Sequence, residues 1–428
     1  MKVLFLTDNF PPESNAPATR TYEHCVEWVR AGAEVTVVTC TPNYPQGKVF
    51  PGYKNKLYQT EMIDGIKVVR VWSYITPNRG MIKRILDYVS FALSAIIASF
   101  FIKTDIIIAT SPQLFTAMAG YVASVFKRRP WIMEIRDLWP ESIKAVEAMR
   151  DNKGLKILDR LVLFLYRNAD RLVVVTESFK ERIHACGVDL DKIHVIKNGV
   201  HLHKFQNTGK DQALLNELSL QNKFIVAYIG THGMAHKLDF IVDCAKQVTN
   251  PDIHFIFLGE GAYKERLRKQ VDQLGLRNVT LLDAVLKTEV NRYISISDVA
   301  LVTLKKSDTF KKVIPSKIFE NAAMQKPILL GVAGEAAQIV NFYKAGRCFE
   351  PENEQEFLAQ LQLMYDDKTA YAKYQKGCLE LAYAFDRKVL ADRMYRVIHD
   401  TVYAKAPSQK KAMAIKKLPR DADKRKRI

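Results

Sequence analysis

A chain of 428 residues is too long for one ordinary hydrophobic core and divides most naturally into two domains. Its 48% hydrophobic and 26% charged residues are the composition of a folded globular protein, which excludes a largely unfolded one. The net charge of +18 is unevenly placed: the last 24 residues, from Lys405, hold ten Lys or Arg against two Asp and no aromatic residue, a disordered composition drawn to anionic surfaces. The six cysteines are scattered, with no C-x-x-C and no His cluster at metal spacing, and read as buried thiols of a reducing compartment. MKVLFLTDNFPP turns polar at Asp8 where a signal peptide would continue apolar, so it reads as a first strand of a cytoplasmic chain.

Residues 2–7 (KVLFLT) form a buried strand, followed by a loop, DNFPPESNAPATR, a helix over 21–31 and the strand EVTVVTC. Ligands of such βαβ units sit at the carboxyl ends of strands, so the first loop is a candidate site wall. Arg20 either meets an anion there or is a surface cap residue. Residues 41–54 make a Pro- and Gly-rich loop too long for a simple turn. After the strand IKVVRVW, residues 88–102 carry no charge between Asp87 and Lys103. Fifteen residues are short of the roughly 20 a membrane span needs, which leaves a core helix or an apolar surface lying against a bilayer. A polybasic tail with an apolar patch favours a peripheral membrane protein over a nucleic-acid binder, which would place aromatics among its basic residues.

The strand DIIIATSP, a helix over 114–126 and the strand WIMEIRDLWPES follow. The last turns polar at Asp137, beside Trp139; that carboxylate is a general base, a hydroxyl-binding group or the cap of the next helix. A helix over 155–168, the strand RLVVVTES, a helix over 179–186 and the strand KIHVIKNGV lead to the Asn198-Gly199 turn, and no regular structure is expected until Phe224. Asp189 and Asp191 stand in a surface turn and read as solvated rather than metal-bound. FIVAYIG, HFIFLGEG, NVTLLDAV and DVALVTL then alternate with helices over 238–248, 263–274 and 288–297. Gly230, Gly233, Gly259 and Gly261 at strand ends allow backbone to approach a ligand, but no G-x-G-x-x-G follows the first strand of either half, which disfavours a hydride-transferring enzyme.

Residues 314–330, IPSKIFENAAMQKPILL, are the most informative stretch. They follow a loop holding Lys305, Lys306, Lys311 and Lys312; Pro315 and Ser316 suit a helix start, and Lys326-Pro327 a stop before the strand ILLGVA. A helix tip favours phosphate by roughly 0.3–2 kcal/mol, and Lys317 adds a cation at the same place. Glu320, one turn along, cannot help to hold phosphate and would serve neighbouring ribose hydroxyls. The plainer reading is a capped structural helix with solvated charges. A helix over 335–344, a short strand at 348–349 and two closing helices, 354–367 and 388–403, complete the chain.

The order of these signals resembles the GT-B glycosyltransferases of family 4: the loop after the first strand, NGV before the linker, LGEG, and a Glu-bearing helix before KPILL. TPNYPQGKVFPGY, RDLWPES and PSKIFE together are similar to the bacterial fucosamine transferase group of O-antigen and capsule synthesis. The resemblance implies two Rossmann-like, doubly wound parallel-sheet domains with an interdomain cleft. Residues 1–203 would bind the acceptor and 204–384 the nucleotide-sugar, with a helix at 385–404 returning towards the first domain and a basic tail at 405–428. It further implies retaining, metal-independent transfer, with no cofactor, from a UDP-sugar, such as one carrying an N-acetylated deoxyhexose, to a polyprenyl diphosphate-linked saccharide at the inner face of the plasma membrane.

By resemblance Glu320 holds the ribose, Ser316 and Lys317 meet the diphosphate, and Gly230, Thr231 and Gly259 line the donor side. Asn15, Arg20 and Trp139 fall on the acceptor side, and Asp137 takes roughly the place of a family His near the transferred sugar. There are departures. Lys312 replaces the first glutamate of the family's E-x7-E, and Thr231 and His236 replace its Arg and Lys, leaving Lys237 or, at the helix tip, Lys317 as cation. Asn15-Ala16 replaces a Gly-Gly. Front-face attack, with charge on the leaving phosphate stabilised by Lys317, fits a chain lacking a clear second carboxylate. Two other readings stand beside this one: a UDP-N-acetylhexosamine 2-epimerase of the same architecture, and a basic scaffold on nucleic acid.

Overall fold

Residues 1–174, 183–194 and 391 onward form one compact unit of the chain, and residues 175–182 and 195–390 a second. The computed structural model describes residues 1–13, 15–44, 46–76, 81–111, 113–139 and 153–403. The helix expected just after Asp137 and the basic tail lie outside the described residues.

The first unit is built on eight strands in the order β3-β4-β2-β1-β5-β6-β7-β8. These are β1 (Lys2–Leu6), β2 (Glu34–Cys40), β3 (Tyr58–Ile63), β4 (Ile66–Val71), β5 (Ile106–Thr110), β6 (Trp131–Ile135), β7 (Arg171–Val174) and β8 (Ile193–Val195). Val3 lies opposite Val35 on one side and Ile106 on the other, all in parallel register. Helices cover the sheet, so β1 and β5 read as unbroken apolar runs rather than alternating ones. The antiparallel edge strand β3 was not expected; it turns back into β4 through Asp64-Gly65. Helix Ala16–Arg30 begins earlier than the sequence suggests, because the Asn15 side chain accepts from the Ala18 amide at 2.9 Å and Pro17 suits a first turn. Helix Arg387–Tyr403 reaches this unit at its second turn, where the Trp28 indole donates to the Ala391 carbonyl at 3.1 Å.

The second unit is a six-stranded, wholly parallel sheet in the order β11-β10-β9-β12-β13-β14. Its strands are β9 (Phe224–Ile229), β10 (Ile253–Leu258), β11 (Val279–Leu282), β12 (Val299–Thr303), β13 (Ile328–Gly331) and β14 (Gly346–Cys348). Two helices were missed: Gln212–Glu217, capped by Asp211, and Lys368–Ala384, whose glycine at 377 and blurred apolar stripe hide it. In both sheets the strand order reverses beside the first strand, between β1 and β5 and between β9 and β12. Such reversal points open a crevice at the carboxyl ends, and they place the candidate groups.

Candidate active site

In the second unit the loops after β9, β10 and β12 are tied together by backbone bonds. The Gly230 amide donates to Leu258 at 2.8 Å, Gly259 to Leu282 at 3.2 Å, His232 to Glu260 at 2.8 Å and Lys305 to Ala235 at 2.8 Å. Into this knot comes the short helix Lys317–Ala323, which buries Ile318, Phe319, Ala322 and Ala323. Lys317 therefore points back over the strand ends. Its Nζ lies 3.7 Å from the centre of the Tyr228 ring, buried and without a hydrogen bond. Burial pulls its pKa down to about 7, against the pull of the Glu320 carboxylate, so the amine loses half its charge near neutral pH. Glu320 is half-buried and has partners of its own.

Gly230, at φ +143°, is required here: a Cβ would stand 2.3 Å from the Lys317 side chain. One at Gly259, at φ +151°, would strike the Gly230 carbonyl oxygen at 1.8 Å. What approaches these glycines is the protein itself. The Tyr228 hydroxyl donates to the Thr231 carbonyl at 2.8 Å and leaves the Thr231 side chain exposed. His232 is fully buried with neither ring nitrogen hydrogen-bonded; burial, Lys264 and Lys317 push it down to about 4. His236, whose ring also packs on Tyr228, is lowered to about 4 by burial and Lys317. Both imidazoles are neutral at pH 7, so the charge that favours the protonated lysine beside them is the Glu320 carboxylate.

Several expectations for this unit need correction. The Ser316 side chain makes no capping bond, and the amides of Ile318 and Phe319 bond back to the Pro315 and Ser316 carbonyls at 3.2 and 3.0 Å, so the tip offers fewer free donors than supposed. Lys237 is engaged by Asp239 at 3.3 Å and is no spare cation. In the basic loop, Lys306 pairs with Glu350 at 2.6 Å and Lys311 with Asp308 at 2.7 Å. Lys312 borders a cavity of about 420 Å³ shared with Asp308, Gly334 and Gln338.

In the first unit, Arg20 does not meet a ligand anion. It is 3% exposed, and its Nε lies 2.9 Å from the Glu134 carboxylate on β6. Asn15 spends its side chain on the helix cap and on Asn9. Asp137 follows the end of β6, exposed at its tip, with Leu138 buried and Trp139 half-buried beside it. Desolvation raises its pKa and Arg136 lowers it, with the rise the larger.

Asp8 was overlooked as a site residue. It follows β1 at the reversal point, where Gln113, after β5, donates an amide N–H to its carboxylate. Burial, then Asp87 and Glu13, raise Asp8 to about 8, and burial raises Asp87 to about 6. Among the described residues, no group of three His, Cys, Asp or Glu stands together as metal ligands. Two apolar-flanked carboxylates far apart in sequence leave no local motif; the signal was Asp8 ending an apolar strand.

Comparison with known proteins decides the family. Residues 15–199 match the glycosyl transferase 4-like domain, and residues 211–378 match the glycosyl transferases group 1 model. The chain is a group 1 glycosyltransferase. It is 27% identical over 405 residues to WcaI of Escherichia coli K12, named for colanic acid biosynthesis, covering 89% of this chain and 97% of that one. Among solved structures, the fold is similar to Anabaena Alr3699/HepE in complex with UDP, at a TM-score of 0.69, 16% identity, and 94% and 100% coverage. It is also similar to sucrose-phosphate synthase of Thermosynechococcus elongatus, at 0.74, 14%, and 94% and 99%. The two parallel-sheet units are the two α/β domains of a GT-B enzyme.

In this glycosyltransferase the Asp8 carboxyl has a measurable consequence for stability. The native carboxyl keeps its proton up to about pH 8, whereas an unfolded one loses it near the ordinary 3.8. Between those values the native state binds more protons, so this group's contribution to stability falls as pH rises. Asp8→Asn is expected to gain on the wild type by about 3 °C or more in thermal midpoint between pH 5 and pH 8. Parallel melting curves for the two proteins across that range would expose the mistake.

Proposed function

We propose that this glycosyltransferase moves a sugar from a UDP-linked donor, with retention, to a lipid-linked saccharide during assembly of a bacterial surface polysaccharide. The observation that carries the donor half is the Lys317 amine, buried, hydrogen-bond-free and resting on Tyr228 at the strand reversal of the second domain. A diphosphate oxygen placed there supplies the missing hydrogen bond and adds to the negative charge that Glu320 already offers the amine. Glu320, one turn along the same helix, takes the ribose hydroxyls. The backbone at Gly230, Thr231 and Gly259 flanks the phosphates, and the cavity beside Lys312 takes the sugar.

In the step itself the acceptor oxygen bonds to the anomeric carbon on the face the nucleotide leaves. The bond from that carbon to the β-phosphate oxygen breaks, its electrons going to the phosphate. The hydroxyl proton passes to that phosphate oxygen, and Lys317 stabilises the departing charge. No metal or cofactor is required for this route. The polysaccharide setting is supported by the likeness to WcaI, and an N-acetylated deoxyhexose such as L-FucNAc by TPNYPQGKVFPGY, RDLWPES and PSKIFE. The acceptor's lipid and an anionic membrane surface, on the cytoplasmic side, are supported by the charge of the tail and the apolar run at 88–102.

A melting panel with UDP, GDP, ADP and TDP tests the donor. A nucleotide at 100 times its Kd stabilises by about 2.7 kcal/mol, so UDP should raise the midpoint and the others much less. Glu320→Ala should abolish most of the UDP shift. Equal shifts from all four nucleotides, or an undiminished shift in the variant, would sink the assignment.

A further inference from the structure

The apolar run at 88–102 does not lie wholly in the core. Helix Met81–Phe100 buries Phe91, Ala95, Ala98 and Ser99 against the first domain, but Leu86, Leu93, Ile97 and Phe100 are exposed along its other side. At 1.5 Å per residue this ridge is roughly 21 Å long. Phe101 continues it at 80% exposure. Helix Leu114–Lys127 widens it: Phe126, 68% exposed, meets Phe100 edge to face at 5.2 Å between ring centres. Soluble monomers rarely leave so continuous an apolar strip uncovered.

Charge frames the strip without entering it. Lys83 and Arg84 are exposed at the amino end of the first helix. At its carboxyl end, Lys2, Lys103, Lys127 and Arg129 surround a notch of about 520 Å³ floored by Thr104 and Asp105, and Asp105 is engaged by the Lys2 amide at 2.8 Å. Asp87, the one acidic residue of that helix, raises the pKa of buried Asp8 and so faces inward. An apolar middle with cations at both ends matches the layering of a bilayer surface, where acyl chains lie beneath phosphates. No helix among the described residues is long and apolar enough to cross a membrane. A second copy of the chain fits poorly, since any two-fold pairing of this face sets cation against cation.

We propose that the outward face of helices 81–100 and 114–127 docks on an anionic phospholipid bilayer, the ridge from Leu86 to Phe101 entering the acyl boundary and the notch at Lys103 and Arg129 receiving a lipid phosphate. This gives the membrane surface of the proposed function a defined footprint and rests on that reading for its purpose, though not for its measurement. The bilayer is the occupant because the face combines apolar side chains with an excess of positive charge, Lys103, Lys127 and Arg129 outnumbering Asp105 at the notch.

The test is co-sedimentation of the full chain, without substrates, with vesicles of phosphatidylcholine alone or with about one-third phosphatidylglycerol, at low salt and at about 0.3 M salt, where the long-range attraction of the basic tail is screened. The wild type is expected to pellet with the anionic vesicles at both salts. Ile97→Asp with Phe126→Asp should lower the bound fraction at least tenfold at the higher salt. Lys103→Glu with Arg129→Glu should remove the preference for phosphatidylglycerol. An unchanged melting midpoint and UDP shift in each variant shows that the fold is intact. Wild-type binding by both variants overturns the proposal, leaving the tail as the anchor. A wild-type dimer that the Asp variant splits without loss of vesicle binding overturns it in favour of self-association. Binding through this face with no transfer to a lipid-linked acceptor would sink the acceptor reading alone.

Discussion

Lys317→Met should cost about 10²- to 10³-fold in transfer rate and raise the thermal midpoint at the same time. The two effects share one cause. The amine is buried over Tyr228 without a hydrogen bond, and burial holds its pKa at about 7. A methionine of similar length fills the space without that penalty, and each kcal/mol relieved is worth ~2–4 °C in a domain of this size. The lost rate is the charge stabilisation that a thioether cannot give to a leaving phosphate.

The pH dependence follows with a definite sign. Native Lys317 releases its proton near pH 7 and an unfolded lysine near 10.5, so the native state binds fewer protons between those values. The group's penalty is full below about pH 7 and disappears as pH rises to 10.5. A bound diphosphate favours the charged amine, so donor binding takes up a proton above pH 7 and wild-type affinity falls as pH rises. Lys317→Met should bind weakly with a flat profile. Calorimetry with a UDP-sugar in buffers of different ionisation heat measures the uptake directly. A variant that transfers at a rate within a few-fold of wild type, with the wild-type pH profile, would remove Lys317 from the chemistry.

Arg20→Ala is expected to destabilise the N-terminal domain by about 3–5 kcal/mol, because it takes from the buried Glu134 carboxylate its ion-pair partner at 2.9 Å. Burial alone would push the Glu134 carboxyl up; Arg20, Arg136 and a Thr110 bond hold it below the ordinary range instead. The pair's contribution is therefore present above the ordinary carboxylate pKa and fades as pH falls through the depressed value. The midpoint of that domain should drop by roughly 6–20 °C. Replacing both partners with apolar residues of similar volume, Arg20→Met with Glu134→Leu, should restore most of it. Melting of the single and double variants decides the matter. If Arg20→Ala melts normally yet loses acceptor binding, the arginine faces a ligand after all.

Strand and helix alternation was legible because buried parallel strands such as IIIAT and VALVT are unbroken β-branched runs, and a helix must lie between consecutive ones. The β3/β4 hairpin was legible in principle, from Asp64-Gly65 between YQTEMI and IKVVRV, but the exposed half of YQTEMI carries too little apolar signal to announce a strand. Residues 88–102 show a different limit. Composition permitted a core helix or a surface one, and the helix is both, since its two faces differ only in what packs against them.

The chemical identity of the donor-side groups came from the order of residues alone: a lysine and a glutamate one turn apart, after a buried strand and ahead of another. Their electrical state did not. Whether a lysine is a free cation or a half-neutral amine depends on what covers it, and Tyr228 and Gly230, some ninety residues away, are brought over Lys317 only by the β9/β12 reversal. Arg20 met Glu134, 114 residues further on, for the same reason. Local pattern selects the elements, because hydrogen bonding and apolar periodicity act over a few residues. Burial and charge pairing are sums over neighbours distant in the chain, and only the folded sheet assembles those neighbours.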